Sequence, residues 1–357
     1  MPAEVTADAV RGVLADLPDP ETGRGIGVME QLGEIEVNGN TITAEVGLTS
    51  WARPVAAVVK ERCGNALRDA FPGVETDVRI TDHHRPAEKI GQIGLTAKSV
   101  IAVGSGKGGV GKSTVATSLA LALQTAGSTV GLMDADVYGP SVPHLLGIDE
   151  RPTAIDQRLQ PINKNGLKVV SMGLLVPRDE AVIWRGPMLH GAVTQFLRDT
   201  EWGDLDYLII DMPPGTGDIA LTLSQLLPLT GSVVVCTPQD VALLDAVKAI
   251  AMFRKVKIPV LGMVENMSYF LCPDNGKRYD IFGHGGAREK AVELGVPLLG
   301  EAPIQIAIRE RGDAGETAGN LVDEDTAPIF RSIAARLVGN LAESHAAAPP
   351  TASLPVL

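Results

Sequence analysis

The sequence predicts an α/β fold, a mostly parallel sheet with helices on both faces, preceded by a small α+β domain. Three observations predict it. Short β-branched runs recur at 100–103, 129–133, 168–171, 207–210, 232–236 and 260–264, separated by helical stretches. Each is apolar nearly throughout, as strands buried on both faces of a parallel sheet must be. A glycine-rich loop joins the first run to a helix, and residues 1–82 carry a different, alternating rhythm.

In chain order, residues 5–17 read as a helix, followed by the turn-rich Asp19-Pro20-Glu21-Thr22-Gly23. Alternating runs at 33–37 and 41–47 flank Asn38-Gly39-Asn40, a hairpin signal. Val55, Val58, Val59 and Leu67 stand at helical spacing in 52–70, and 74–80 reads as a closing strand. These elements make a domain of residues 1–82. Polar residues 83–98 read as a linker, 99–342 as the main domain, and the Ala/Pro-rich 343–357 as a disordered tail.

Composition narrows the partners. The 357 residues are 45 % hydrophobic and 21 % charged, enough for a buried core. A net charge of −12 argues against nucleic-acid binding, which needs a basic surface. No apolar stretch approaches the ~18 residues of a membrane span. The N-terminus lacks the basic start and apolar core of a secretory signal. Cys63, Cys236 and Cys272 are too few and scattered for a disulfide framework, so a reducing cytoplasm is the expected location.

Chemistry enters at Gly104-Ser105-Gly106-Lys107-Gly108-Gly109-Val110-Gly111-Lys112-Ser113-Thr114. From Gly106 to Ser113 this fits G-x-x-x-x-G-K-[ST], between a strand and a helix at 112–126. Glycines let backbone N–H groups approach phosphates, and the helix N-terminus adds partial positive charge. Lys112 is expected to reach the β/γ-phosphates and the Ser113 hydroxyl to meet Mg²⁺. Nothing about the turn calls for Lys107, whose ammonium could meet phosphate in its own subunit or across a dimer.

Two strand ends supply carboxylates. The run 207–211 ends in Asp211, placed to hold Mg²⁺ directly or through water, and continues into Met212-Pro213-Pro214-Gly215-Thr216-Gly217-Asp218. The run Leu132-Met133-Asp134-Ala135-Asp136 offers Asp136 to orient or deprotonate an attacking water, with Asp134 in support. Slow ATP hydrolysis is the expected activity, with Lys107, Lys112 and Asp136 as catalytic groups.

The loop's G-K-G-G-V-G-K-[ST] resembles the deviant loop of MinD- and nitrogenase-iron-protein-type ATPases. There the early lysine binds the nucleotide of the facing monomer, which for Lys107 implies a nucleotide-sandwich dimer. The whole chain resembles the Mrp/ApbC family of iron–sulfur cluster carrier ATPases. The segments that carry this are 104–114, 134–143, Trp184-Arg185-Gly186-Pro187-Met188, 211–218, Glu265-Asn266-Met267-Ser268 and 281–286. Residues 1–82 resemble the small iron–sulfur-assembly domain often fused ahead of it, through Asp19-Pro20-Glu21 and Leu48-Thr49. The resemblance implies ATP and Mg²⁺ as cofactors, adenine contact by Asn266, a cytoplasmic homodimer, a [4Fe–4S] cluster and apo iron–sulfur clients.

Two departures stand out. The family's C-x-x-C after E-N-M-S reads Cys272-Pro273-Asp274-Asn275 here, so a dimer supplies two thiolates where a [4Fe–4S] cluster takes four. Arg53 stands where many relatives place a cysteine before the proline. Cys236 and Cys63 read as core residues, and His284 as a loop residue. The alternative to a carrier is therefore a cluster-free, nucleotide-dependent dimerisation switch. A small-molecule kinase lacks its arginine-rich lid here, and a membrane-positioning ATPase lacks its basic tail helix.

Overall fold

The structure is a computed structural model that describes residues 5–137, 139–174, 186–215 and 217–347. Of the sequence motifs, Tyr138, Trp184, Arg185, Thr216 and the tail from 348 lie outside the described residues. The chain forms two units, one of residues 1–85 with 335–357, the other of residues 86–334.

The first unit builds α1 (Ala7–Ala15), β1 (Leu32–Asn38), β2 (Thr41–Leu48), α2 (Ala56–Ala70) and β3 (Glu75–Asp82). The Thr6 hydroxyl caps α1 by accepting Ala9 N–H at 3.2 Å. The expected hairpin is β1–β2, antiparallel from Asn38↔Thr41, and β3 pairs with β2 in parallel. Ile42, Ala44, Val46 and Leu48 alternate inward and pack in a core that includes Val10, Leu14, Trp51 and Leu67. The helix expected from 52 begins instead at Ala56, after a 3₁₀ segment at Ser50–Val55 that contains Pro54. Proline has no N–H to donate and disfavours α geometry at the residue before it. Arg53, at the expected cysteine position, pairs with Asp82.

The Asp19 turn is held by that buried carboxylate. It accepts Thr22 N–H at 3.1 Å, the Thr22 hydroxyl at 2.8 Å and Gln31 Nε2 at 3.0 Å, and pairs with Arg85 at 2.9 Å. Burial raises its pKa, but the Gln31 and Thr22 bonds and the Arg85 charge outweigh it, leaving the carboxyl below its ordinary value.

The second unit runs β4 (Lys89–Ile90), β5 (Leu95–Gly104), α3 (Lys112–Thr125), β6 (Val130–Asp134), α4 (Val142–Leu146), β7 (Ala154–Ile155), β8 (Arg158–Leu159), β9 (Ile162–Lys164) and β10 (Leu167–Ser171). After the undescribed stretch come α5 (Gly186–Asp199), β11 (Leu205–Asp211), α6 (Gly217–Leu226), β12 (Gly231–Cys236), α7 (Asp240–Lys255) and β13 (Val260–Glu265). The chain closes with β14 (Phe270–Leu271), β15 (Arg278–Tyr279), α8 (Gly286–Leu294), β16 (Leu298–Glu301), α9 (Ile306–Ala314) and α10 (Ala327–Ala347).

The sheet order is β16-β13-β12-β5-β11-β6-β10-β9, with β4 beside β5. All central pairings are parallel; β9 adds an antiparallel edge, and β4 pairs antiparallel with the amino-terminal end of β5. Every residue of β6, β11 and β12 is buried, as their unbroken apolar runs predict. Chain order reverses across β5, so the carboxyl ends of β5, β11 and β6 frame a crevice.

Two expected boundaries differ. The stretch 83–98 contains β4 and the start of β5, and α10 continues to Ala347, across the expected boundary at 342. Buried Leu337, Val338 and Leu341, at helical spacing, carry it onward.

Candidate functional site

The loop from Ser105 to Gly111 joins the end of β5 to the start of α3. Its glycines are required by contact as well as by flexibility. A side chain on Gly106 would run into the Asp245 carbonyl, and one on Gly111, at φ 77°, into the Asn266 amide. The loop is braced by the Ser105 hydroxyl, which donates to Lys107 O at 2.9 Å, and by Gly215 N–H, which donates to Ser105 O at 3.0 Å. It walls a cavity of about 360 Å³ lined also by Asp136, Gly139, Ser141, His144 and Pro214.

Lys112 is buried and pairs with Asp211; its Nζ lies 3.2 Å from the Ser113 hydroxyl. Asp211 Oδ2 is buried without a hydrogen-bond partner among the described residues. Burial pushes Asp211 above its ordinary pKa, opposed by the Lys112 charge and the Ser113 hydroxyl. An acceptor buried beside a hydroxyl and awaiting a donor or cation fits Mg²⁺. Lys107 lines the same cavity, and among the described residues its ammonium makes no hydrogen bond or ion pair.

Asp134 and Asp211 are register partners on β6 and β11. Asp134 Oδ1 accepts Asp136 N–H at 3.1 Å; Oδ2 accepts the Ser171 hydroxyl at 2.9 Å and Val142 N–H at 3.3 Å. One carboxylate thus staples both ends of the loop from Asp136 to Val142. Burial and the nearby Asp211 charge push Asp134 up to about 7, against those bonds and the Lys112 charge. Asp136 accepts Gly139 N–H at 3.0 Å, which fixes its carboxylate at the cavity wall.

A second cavity, of about 410 Å³, shares Gly111, Thr114, His144 and Leu145 with the first. Its walls are mainly apolar: Met267, Phe282, Pro303, Ile304 and Ile308, with Asn266 at the loop side. Asn266 Nδ2 donates to Val110 O at 2.9 Å and its N–H to Cys236 O at 2.8 Å. The pair of cavities suits a nucleotide: polar and glycine-lined for phosphates, apolar for a base. Sequence reasoning found Asn266 and named the segment 281–286 that contains Phe282, without a role for it, but missed Pro303, Ile304, Ile308 and His144, which lie in no named segment.

Cys272 is half-buried in the turn between β14 and β15. Its N–H donates to Lys277 O at 3.0 Å, and its O accepts Gly276 N–H at 2.8 Å. Asn275 Oδ1 accepts Lys277 N–H at 2.9 Å, closing an Asx turn. His284 Nδ1 lies 2.9 Å from Arg278 Nη2. Cys63 and Cys236 are buried, and burial pushes their thiols up to about 11 and about 12. Among the described residues, no three His, Cys, Asp or Glu side chains of one chain cluster closely enough to hold a metal ion. No described helix is long and apolar enough to cross a membrane.

Comparison with known proteins agrees with this geometry. Residues 96–338 match the family model of the NUBPL iron-transfer P-loop NTPases, and residues 7–80 that of an iron–sulfur cluster assembly protein. The chain is 45 % identical over 354 residues to the iron–sulfur cluster carrier protein of Deinococcus radiodurans, covering 98 % of this chain and 99 % of that one. It is 42 % identical to that of Escherichia coli K12, over 93 % and 91 % of the two chains. Among solved structures, the ADP-bound nucleotide-binding protein of Archaeoglobus fulgidus is 41 % identical with a TM-score of 0.56, over 62 % of this chain and 88 % of that one. The cell-division ATPase MinD of Pyrococcus furiosus, 23 % identical with a TM-score of 0.51 over 67 % and 97 %, shares the fold.

Proposed function

The chain belongs to the NUBPL iron-transfer P-loop NTPases, and from that membership we propose an ATP-driven carrier that works as a homodimer, takes an iron–sulfur cluster as cargo and passes it to apo-proteins. The observation that supports it best is two lysines on one phosphate cavity, Lys112 held by Asp211 and Lys107 unpaired at the rim.

The triphosphate lies along Gly104–Thr114 and draws Lys112 from Asp211 to the β/γ-phosphates. Asp211, so released, and the Ser113 hydroxyl are the residues that would hold Mg²⁺, which would supply neutralising positive charge to the phosphates. Asp136 orients or deprotonates the attacking water, its carboxylate held by Gly139 N–H. Lys107 reaches the nucleotide of the facing subunit. The base enters the apolar cavity beside Asn266, the apolar neighbour of the phosphate cavity. Hydrolysis is slow, because a switch needs long-lived states, and a cytoplasmic location suits the reduced thiols.

Cys272, one per subunit, contributes to the cargo site. A second reading, a cluster-free switch, is favoured by Asn275, which is occupied with its own turn rather than offering a thiolate. The carrier reading is tested by cluster transfer to an apo-ferredoxin. ATP should stimulate transfer by the native chain, while Lys112→Ala loses ATP turnover by about 10²-fold and all stimulation. Undiminished turnover in that variant would overturn the loop's assignment; transfer indifferent to ATP would favour the switch.

A further inference from the structure

The base cavity and the turn that carries Cys272 share a wall. Asn266, Met267 and Phe282 line the cavity. Between Met267 and Phe282 the chain leaves the sheet, passes through β14, turns at Cys272 and returns through β15.

Both ends of this excursion are held by one side chain. Glu265, the last residue of β13, is 1 % exposed. Its Oε1 accepts the Ser268 hydroxyl at 2.5 Å, and its Oε2 accepts Ala287 N–H at 2.9 Å. Ser268 opens the excursion; Ala287 lies in the first turn of α8, where N–H groups have no partner within the helix. Ser268 N–H also donates to Ala302 O at 2.9 Å, and Ile304 N–H to Tyr269 O at 2.6 Å. The next residue, Asn266, donates to Val110 O in the phosphate loop. Phosphate loop, base cavity and thiol turn therefore meet at two consecutive residues.

A buried carboxylate is costly unless donors replace its water. The two donors of Glu265 come from opposite ends of the excursion, so it is satisfied only when both ends are seated. A base in the cavity touches Asn266 on one side and Phe282 on the other, and so favours the seated arrangement over any opened one. We infer that Glu265 is a positioning residue that couples filling of the base cavity to the presentation of Cys272. The inference rests on reading the apolar cavity as the base site.

The test is the rate at which N-ethylmaleimide alkylates Cys272 in the full-length chain, with a Cys272→Ser variant setting the background from Cys63 and Cys236. Saturating ADP should slow alkylation about tenfold, a factor within reach of the hydrogen bonds to one buried carboxylate. Pyrophosphate, which fills the phosphate cavity alone, should give no protection. Glu265→Ala removes both acceptors, leaving the Ser268 hydroxyl and Ala287 N–H without their shared partner, so the nucleotide-free rate rises and protection falls below about twofold, although ADP still binds. Ser268→Ala, which removes one donor and leaves the other, should lie between. Wild-type protection in both Glu265→Ala and Ser268→Ala overturns the inference, as does equal protection by pyrophosphate. Should Glu265→Ala fail to fold, wild-type protection in Ser268→Ala alone overturns it. Failure of wild type to bind ADP by calorimetry would instead remove the base-site reading beneath it.

Discussion

At the residue scale, Asp134 shows how a buried network sets a measurable property. Its folded pKa, about 7, lies above the ordinary 3.8, because burial and Asp211 disfavour its charge. The folded chain therefore binds this proton more tightly than the unfolded chain. The resulting stability is complete below the unfolded pKa and is lost as pH rises through about 7. The nucleotide-free chain should melt at a higher temperature near pH 5.5 than near pH 8. Asp134→Asn should flatten that slope without abolishing it, since Asp211 is raised as well. An equally steep slope in the variant would contradict the network. Lys107, Lys112, Ser113, Asp136, Asp211 and Asn266 were legible because each sits in a short motif or at the end of an apolar run. Ser171 ends the run 168–171 and Glu265 opens the motif Glu265-Asn266-Met267-Ser268, but their roles were not legible. Ser171 acts on a residue 37 positions away, and Glu265 on one 22 positions away, so their partners exist only once sheet order and the helix after the excursion are fixed.

At the scale of elements, the phosphate loop works because β5 and α3 hold its ends and the neighbouring strand ends bring Asp211 and Asp136 to it. The apolar runs predicted all six central parallel strands, since burial on both faces leaves no polar alternation to misread. The boundary at 83–98 was less legible, because β4 is a two-residue strand that pairs only with the amino-terminal end of β5 and needs no apolar signature. The base cavity was invisible too: Pro303, Ile304 and Ile308 belong to no motif, and only the fold brings them into one cavity with Asn266. Lys107 offers the element-level test. Lys107→Ala removes a loop side chain that has no hydrogen bond or ion pair among the described residues, so the monomer should melt as the native chain does. Its ATP-dependent self-association should weaken about tenfold, as loss of one charge-assisted phosphate contact implies. Unaltered dimer formation in ultracentrifugation would refute the cross-subunit role.

At the scale of the whole molecule, the chain combines an ATPase unit with a smaller unit matching an iron–sulfur assembly model. Residues 335–347 of α10 group with the smaller unit although they follow the ATPase in sequence. Ending the chain at residue 334 removes the buried Leu337, Val338 and Leu341, each worth about 1.5–3 kcal/mol of apolar burial. The smaller unit should then unfold at a lower temperature, and scanning calorimetry that shows no change would contradict the grouping. The central claim, that this ATPase carries a cluster, is tested most directly by iron and sulfide content after anaerobic reconstitution. The account expects stoichiometric iron and sulfide, with a visible thiolate-to-iron absorption band, all lost in Cys272→Ser. Native protein with neither stoichiometric iron nor the band would contradict it and leave a nucleotide switch without cargo.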